Sequence, residues 1–266
     1  MKYKEGDKVI VSTNKGKVSG LVMPSKRTVV IKLESGYNMG INKSNVKGLK
    51  VVRRATPVKK KAKKVRFKKD LPTVVILSTG GTISSRVDYA TGAVHASLDA
   101  SDLVEAVPEL KDIANIECKG ILNKMSEDIK PGDWVKIAKA VYREVKRKDV
   151  SGVVVTHGTD TMHYTSAALS FMLEDLNKPV VLTGSQRSSD RGSSDARMNL
   201  ICSAIAATSD IAEVVVCMHG TTDDAYCSVH RGTKVRKMHT SRRDAFQSIN
   251  ESQIAMIRPD GKIEHT

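Results

Sequence analysis

No stretch of these 266 residues approaches the ~18 consecutive apolar residues that a membrane-spanning helix requires, so no span is expected. The segment Met1 to Asp7 lacks the apolar core and small-residue cleavage site of a secretory signal, and the expected compartment is the cytoplasm. Four cysteines are too few and too scattered for a disulfide framework, and none forms a Cys-x-x-Cys pair. Cys118, Cys202, Cys217 and Cys227 are therefore expected as reduced, buried thiols that pack as small apolar side chains. The seven histidines show no ligand-like spacing, since His157 and His163 stand six apart. No metal and no organic cofactor is expected in this chain. Neither Gly-x-x-x-x-Gly-Lys-Ser/Thr nor Gly-x-Gly-x-x-Gly occurs around the pair Gly80-Gly81, which argues against a nucleotide-phosphate cradle there. The single tryptophan, Trp134, is expected in packing rather than in ligand stacking.

What is abundant is positive charge, a formal +15 in all. Lys59, Lys60, Lys61, Lys63, Lys64, Arg66, Lys68 and Lys69 supply eight cations within eleven residues, leaving +7 for the remainder. Such a run reads either as a self-repelling, solvated linker or as a contact for the phosphates of RNA. Before it, residues 1–55 read as short strands punctuated by turns at Asn14 to Lys17 and Ser35 to Asn38, a pattern that predicts a small all-β barrel. Residues 56–70 form the basic linker. From 71 to 266, strands alternate with helices: strands at 73–78, 113–121, 150–156, 179–183 and 212–218, helices at 99–106, 131–148, 161–175 and 193–208. That alternation predicts an α/β domain on a parallel sheet, closed by a strand-turn-strand segment between Ser252 and Glu264.

Two strands of this domain end in loops rich in hydroxyls. Thr73 to Ser78 runs into Thr79-Gly80-Gly81-Thr82-Ile83, and Val153-Val154-Val155 into Thr156-His157-Gly158-Thr159-Asp160-Thr161. In open parallel sheets, ligands bind beyond the carboxyl ends of the strands, where both loops fall. Gly80 and Gly81 free the backbone for a tight turn whose amides can hold an oxyanion, while Thr82 offers a nucleophilic hydroxyl. On local grounds the same hydroxyl reads equally as a structural turn or helix cap. Candidate activators are Tyr89 and the pair Asp160 and Lys178; Lys178 precedes its strand and reaches the site only by a long or folded-back connection, and if the pair meets, the lysine could relay a proton to Thr159. Ser126 and Glu127 are candidate substrate contacts, with Ser126 or Asp128 alternatively capping the helix at 131. The loop Thr183-Gly184-Ser185-Gln186-Arg187, with Asp190, Arg191 and Asp195 nearby, is expected to shape the floor of the site and cap the helix at 193.

These motifs resemble the L-asparaginase and glutaminase family: TGGTI at 79–83, HGTDTM at 157–162, the strand entry Lys178-Pro179-Val180-Val181, and Asp244-Ala245-Phe246-Gln247-Ser248. The resemblance spans roughly residues 72–264. It implies that Thr82 is the nucleophile attacking a side-chain amide, Tyr89 the tyrosine of a lid, and Thr159, Asp160 and Lys178 the second hydroxyl with its supporting pair. It further implies that Ser126, Glu127 and Gly81 hold the substrate, glutamine or asparagine. Glu127 departs from the family pattern, where glutamine is common. The family also carries a smaller C-terminal α/β domain contributing contacts across a dimer, and on this comparison the chain stops about where that domain begins.

An N-terminal barrel, the basic linker and the run Arg236 to Arg243 together resemble the archaeal glutamyl-tRNA(Gln) amidotransferase branch of the family. That resemblance implies an ammonia donor in the conversion of Glu-tRNA(Gln) to Gln-tRNA(Gln), arranged as a homodimer within a heterotetramer. It implies a GatE-type partner subunit that uses ATP and Mg, with tRNA engaged through the complex. The alternatives are a stand-alone cytoplasmic asparaginase and a non-catalytic RNA- or partner-binding protein.

Overall fold

The computed structural model describes residues 3–4, 6–23, 25, 28–33, 38–54, 67–80, 85–87, 94–96, 107–187 and 193–266. The chain divides into two compact units, one comprising Met1–Lys61 and Arg86–His95, the other Ala62–Ser85 and Ala96–Thr266.

The first unit is built on five antiparallel strands, β1 (Lys8–Thr13), β2 (Gly16–Met23), β3 (Thr28–Lys32), β4 (Asn38–Asn42) and β5 (Val46–Arg53), hydrogen-bonded in the order β4-β3-β2-β1-β5. Alternation along the strands turns Val9, Val11, Val22, Val29, Ile31 and Ile41 to one buried cluster. The buried Asp7 carboxylate accepts from the Lys4 backbone N–H and pairs with Arg54 at 3.0 Å, joining the approach to β1 with the end of β5.

The second unit begins with β6 (Thr73–Ser78). A separate ribbon follows, β7 (Ser85–Val87) paired with β8 (Val94–Ala96), whose residues fall mostly in the first unit. There follow α1 (Leu110–Ile113), β9 (Asn115–Gly120), α2 (Pro131–Val145), β10 (Val150–Thr156), α3 (Met162–Met172), β11 (Val180–Thr183), α4 (Ala196–Ala207) and β12 (Val214–His219). Next come β13 (Cys227–Arg231), β14 (Val235–Lys237), β15 (Phe246–Ser248), β16 (Ala255–Ile257) and β17 (Ile263–His265). The helix expected over 99–106 lies outside the described residues. The central sheet has eight strands in the order β17-β16-β13-β12-β11-β10-β6-β9. Its strands β9, β6, β10, β11 and β12 are parallel, as the alternation of strands and helices predicts. Beyond β12 the sheet continues with antiparallel strands. The strand missed there, β13, reads Cys-Ser-Val-His-Arg, too polar to stand out as a buried strand although four of its five residues are buried. The expected strand-turn-strand near the C-terminal end is the hairpin of β16 and β17.

Both faces of the sheet are covered. Val74 and Ile76 of β6 join a core formed with α1 and α4, while Val75 and Leu77 join another formed with α2 and α3. The near-continuous valine runs of β6, β10, β11 and β12 are what strands buried on both faces require. Helix α2 starts with Pro131 at its first position, where no intrahelical donor is lost. Its first turn is closed by Asp133, which accepts from Lys130 N–H and Lys124 Nζ and is thereby held at about pKa 2. The cap expected from Ser126 or Asp128 is therefore not used: α2 has Lys130 at its N-cap, and Asp133 reaches back to it.

Gly152 of β10 is required for a close approach: a Cβ there would lie 2.1 Å from the carbonyl oxygen of Ala207 at the end of α4. A backbone atom cannot move aside as a side chain does. Gly152→Ala is expected to destabilise the chain by about 1–3 kcal/mol or more, read as a lower urea midpoint; an unchanged midpoint would show that α4 shifts freely.

Burial also sets the response to acid. His157, His163 and His230 are all pushed below the ordinary imidazole range by desolvation, His230 to about 4. A depressed histidine is neutral in the fold while the unfolded chain takes up a proton near pH 6.5. The stability these residues contribute is therefore fully present above about pH 6.5 and lost as pH falls from there towards 4. Denaturation at pH 7, 5.5 and 4.5 should show this fall, and His230→Gln should flatten it; identical pH dependence in the two proteins would contradict the assignment.

Candidate active site

Strands β6 and β10 lie side by side, and their pairing runs as far as Thr156↔Ser78, so the two hydroxyl-rich loops leave the sheet together. The chain turns from β6 to β9 on one side and then crosses to β10 on the other, so this is the topological switch point where a crevice opens in α/β sheets. Thr79 fastens the first loop: its backbone N–H and its hydroxyl both donate to the carbonyl of Thr156, at 3.1 and 3.0 Å. Gly80 follows with φ +106°, and a Cβ there would meet the Lys124 backbone at 2.6 Å. Glycine is thus demanded by both conformation and space. Gly81, Thr82 and Tyr89 lie outside the described residues.

The second loop is pinned at its start, where His157 N–H donates to the Thr183 carbonyl at 2.9 Å. Gly158 packs on Ser126, whose Cβ would be 2.8 Å from any Cβ added to the glycine. Thr161 Oγ1 donates to the Ser126 carbonyl at 2.7 Å. Ser126 is thus buried against the turn carrying Thr159 and Asp160, whereas Glu127 is exposed.

Thr159 and Asp160 meet a lysine, but it is not Lys178. Lys237 Nζ donates to Thr159 Oγ1 at 2.8 Å and to Asp160 Oδ1 at 2.7 Å, and Thr159 Oγ1 donates to Gln186 Oε1 at 3.2 Å. Lys178 donates instead to the backbone carbonyl of Arg147, just beyond α2. The physical reason is strand direction. Because Val153 is paired with Val180 in parallel, Lys178 lies beside the start of β10, roughly 17 Å of strand from its carboxyl end. Lys237 arrives on β14, whose antiparallel partner β15 opposes it with the buried Phe246. In the sequence it is one cation in a basic run some 80 residues from Thr159, and its only local mark is the apolar Val235 and Phe246 that seat the hairpin. The Lys237 side chain is only 7% exposed and that of Asp160 is 66% exposed, so the ammonium is sheathed while its carboxylate partner faces solvent.

A second layer of polar side chains supports the loop after β11. Asp195, fully buried, accepts from the backbone N–H groups of Gln186 and Arg187 and from Asn199 Nδ2. It ties down the loop expected to form the floor of the site, and its side chain does not cap α4. Asn199 Nδ2 also donates to the Gly184 carbonyl, and its Oδ1 accepts from the backbone of His219. Together these bonds fix Gln186 against Thr159.

The arrangement offers one buried ammonium, a hydroxyl hydrogen-bonded to it and an exposed carboxylate, beside the glycine turn that leads to Thr82. Chemically it suits proton movement through a hydroxyl next to a site for a substrate cation. Among the described residues, no group of three or more His, Cys, Asp or Glu side chains is placed to hold a metal ion, and no helix is long and apolar enough to cross a membrane.

Comparison with known proteins finds a separate family match for each of two stretches of the chain. The family described as Asparaginase, N-terminal, matches residues 73–266, and the GatD N-terminal domain matches residues 3–52. The D subunit of the glutamyl-tRNA(Gln) amidotransferase of Thermococcus kodakarensis is 55% identical over 98% of this chain and 60% of its own length. Its counterpart in Methanothermobacter thermautotrophicus is 52% identical over 96% of this chain, again 60% of its own length. The thermostable L-asparaginase from Thermococcus kodakarensis superposes with a TM-score of 0.64 at 37% identity, covering 73% of this chain and 56% of that one. The chain thus spans about 60% of the length of these curated relatives. With its α/β part matched along residues 73–266, the chain belongs to the asparaginase family.

Proposed function

We propose that this chain is the ammonia-generating component of a tRNA-dependent amidotransferase, hydrolysing the side-chain amide of glutamine or asparagine with Thr82 as nucleophile. The observation that carries the chemistry is the Thr159–Asp160–Lys237 cluster on the loop that leaves the sheet beside Thr79 and Gly80. In this reading Thr82 Oγ attacks the amide carbon, and backbone amides of the glycine turn, Gly81 among them, stabilise the oxyanion. The hydroxyl proton leaves through the hydrogen-bonded path of Thr159 and Lys237, and a proton is delivered to the departing nitrogen as ammonia. Water then cleaves the acyl ester, restoring the Thr82 hydroxyl and releasing the free acid. Asp160, with Ser126 and Glu127 nearby, receives the substrate α-ammonium group, and Tyr89 covers the site. Lys237 takes the role that the family resemblance assigned to Lys178.

The tRNA-dependent part of the reading is supported by the GatD N-terminal domain match over residues 3–52 and by relatives described as the D subunit of glutamyl-tRNA(Gln) amidotransferase. It places a GatE-type partner alongside, using ATP and Mg to activate Glu-tRNA(Gln) in a cytoplasmic heterotetramer, where the released ammonia is captured. The 37% identity to an L-asparaginase favours one further reading, hydrolysis without tRNA or a partner.

In the complete protein, Thr82→Ala is expected to lower glutamine hydrolysis by more than about a thousandfold, and Lys237→Met to lower kcat more than it raises KM. Lys178→Met should retain activity. Wild-type rates in Thr82→Ala would sink the proposal. Adding the partner subunit and Glu-tRNA(Gln) separates the two readings, since a free-standing asparaginase gains nothing from either.

A further inference from the structure

The turn that presents Thr159 and Asp160 is anchored by a chain of side chains crossing two helices. Trp134 Nε1 on α2 is 3.0 Å from Thr165 Oγ1 on α3, which is 2.9 Å from His157 Nε2, while His157 Nδ1 is 2.7 Å from the carbonyl oxygen of Gly158. The proton positions follow from what each group can do. An indole N–H only donates, so the Thr165 oxygen accepts from Trp134 and has its one proton to give to His157. A peptide carbonyl only accepts, so the proton facing Gly158 is on Nδ1, and Nε2 is the lone pair that receives the Thr165 hydroxyl. The chain therefore has a single polarity running from Trp134 to Gly158. Burial of His157, which disfavours the imidazolium, acts in the same sense.

The turn has need of such an anchor. Gly158 has the backbone freedom of a residue without Cβ, and it has no room to surrender that freedom, since Ser126 occupies the space a side chain would take. Its conformation must then be fixed through its own peptide groups, and its carbonyl is held by His157. The next two residues are those that meet Lys237.

We propose that Trp134, Thr165 and His157 are positioning residues of the candidate active site: they lock His157 as the neutral Nδ1–H tautomer and, through the Gly158 carbonyl, set the aim of Thr159 and Asp160. The catalytic consequence rests on the hydrolytic reading above; the tautomer does not. Ring 15N spectra of the chain, with His157 assigned by its absence in His157→Gln, should show a neutral Nδ1–H imidazole at pH 7. In the complete protein, Thr165→Val preserves shape but removes both hydrogen bonds, and should lower kcat roughly 10- to 100-fold with a smaller change in KM. Thr165→Ser should restore it. Trp134→Phe, which removes only the outer donor, frees the Thr165 hydroxyl to turn and should move the His157 Nε2 resonance of the folded chain while Nδ1 stays protonated against the Gly158 carbonyl, and this measurement decides the matter if Thr165→Val does not fold. An imidazolium or Nε2–H form at pH 7, an unmoved Nε2 resonance in Trp134→Phe, or wild-type kcat in a folded Thr165→Val would overturn the proposal. Absence of hydrolysis by the wild type would count against the glutaminase reading alone, because the ring spectra still report the tautomer.

Discussion

Parallel backbone pairing between β6 and β10, from Gly152↔Val74 to Thr156↔Ser78, is the constraint on which the candidate site depends. It makes two loops that are more than 70 residues apart in sequence leave the sheet at one edge. The pairing is possible because both strands are almost wholly aliphatic and buried on both faces, with no polar side chain that has to reach water. It continues past the strands, where Thr79 and Thr156 remain bonded, so the first loop departs at a fixed angle. The remaining supports are added around this seam: Ser126 beneath Gly158, Gln186 beside Thr159, and Lys237 over both Thr159 and Asp160.

The site mixes deep burial with exposure in a small space. Lys237 is enclosed, yet its charge is met by a carboxylate on the solvent side, so the ammonium avoids the large cost of an unpaired buried charge. Below it, Asp195 is fully buried but accepts backbone and side-chain N–H groups rather than facing an apolar wall. Asp195 and Asn199 are thus each held by groups of opposite bonding character. Such a floor has few alternative arrangements, which is what aiming two short side chains at one substrate demands.

The sequence showed the seam well and the lysine badly, and the difference is physical. Strands β6 and β10 declare themselves by valine runs, and their loops by glycine and threonine, because both signals are local. The pairing of Lys237 with Asp160 is a tertiary event: β14 and β15 are three residues each, shorter than any periodicity can reveal, and their lysine sits among other cations. Lys178 was assigned its role through the family resemblance of the strand entry Lys178-Pro179-Val180-Val181, although it precedes its strand. Adjacency says nothing of direction, and in a parallel sheet the residue before a strand belongs to the end opposite the crevice. Strand β13 escaped for a related reason, since its burial comes from packing on α4 and not from an aliphatic sequence. Ser126 was legible as a candidate, though helix capping competed with it until Asp133 took that task.

Trp134 is the only tryptophan of the chain, and it is tied by one hydroxyl to the ring that steadies the candidate active-site turn. The optical consequence is that the protein's whole indole emission originates two hydrogen bonds from that turn. A loosening or tightening there changes the polarity around a single fluorophore, with no second one to dilute it.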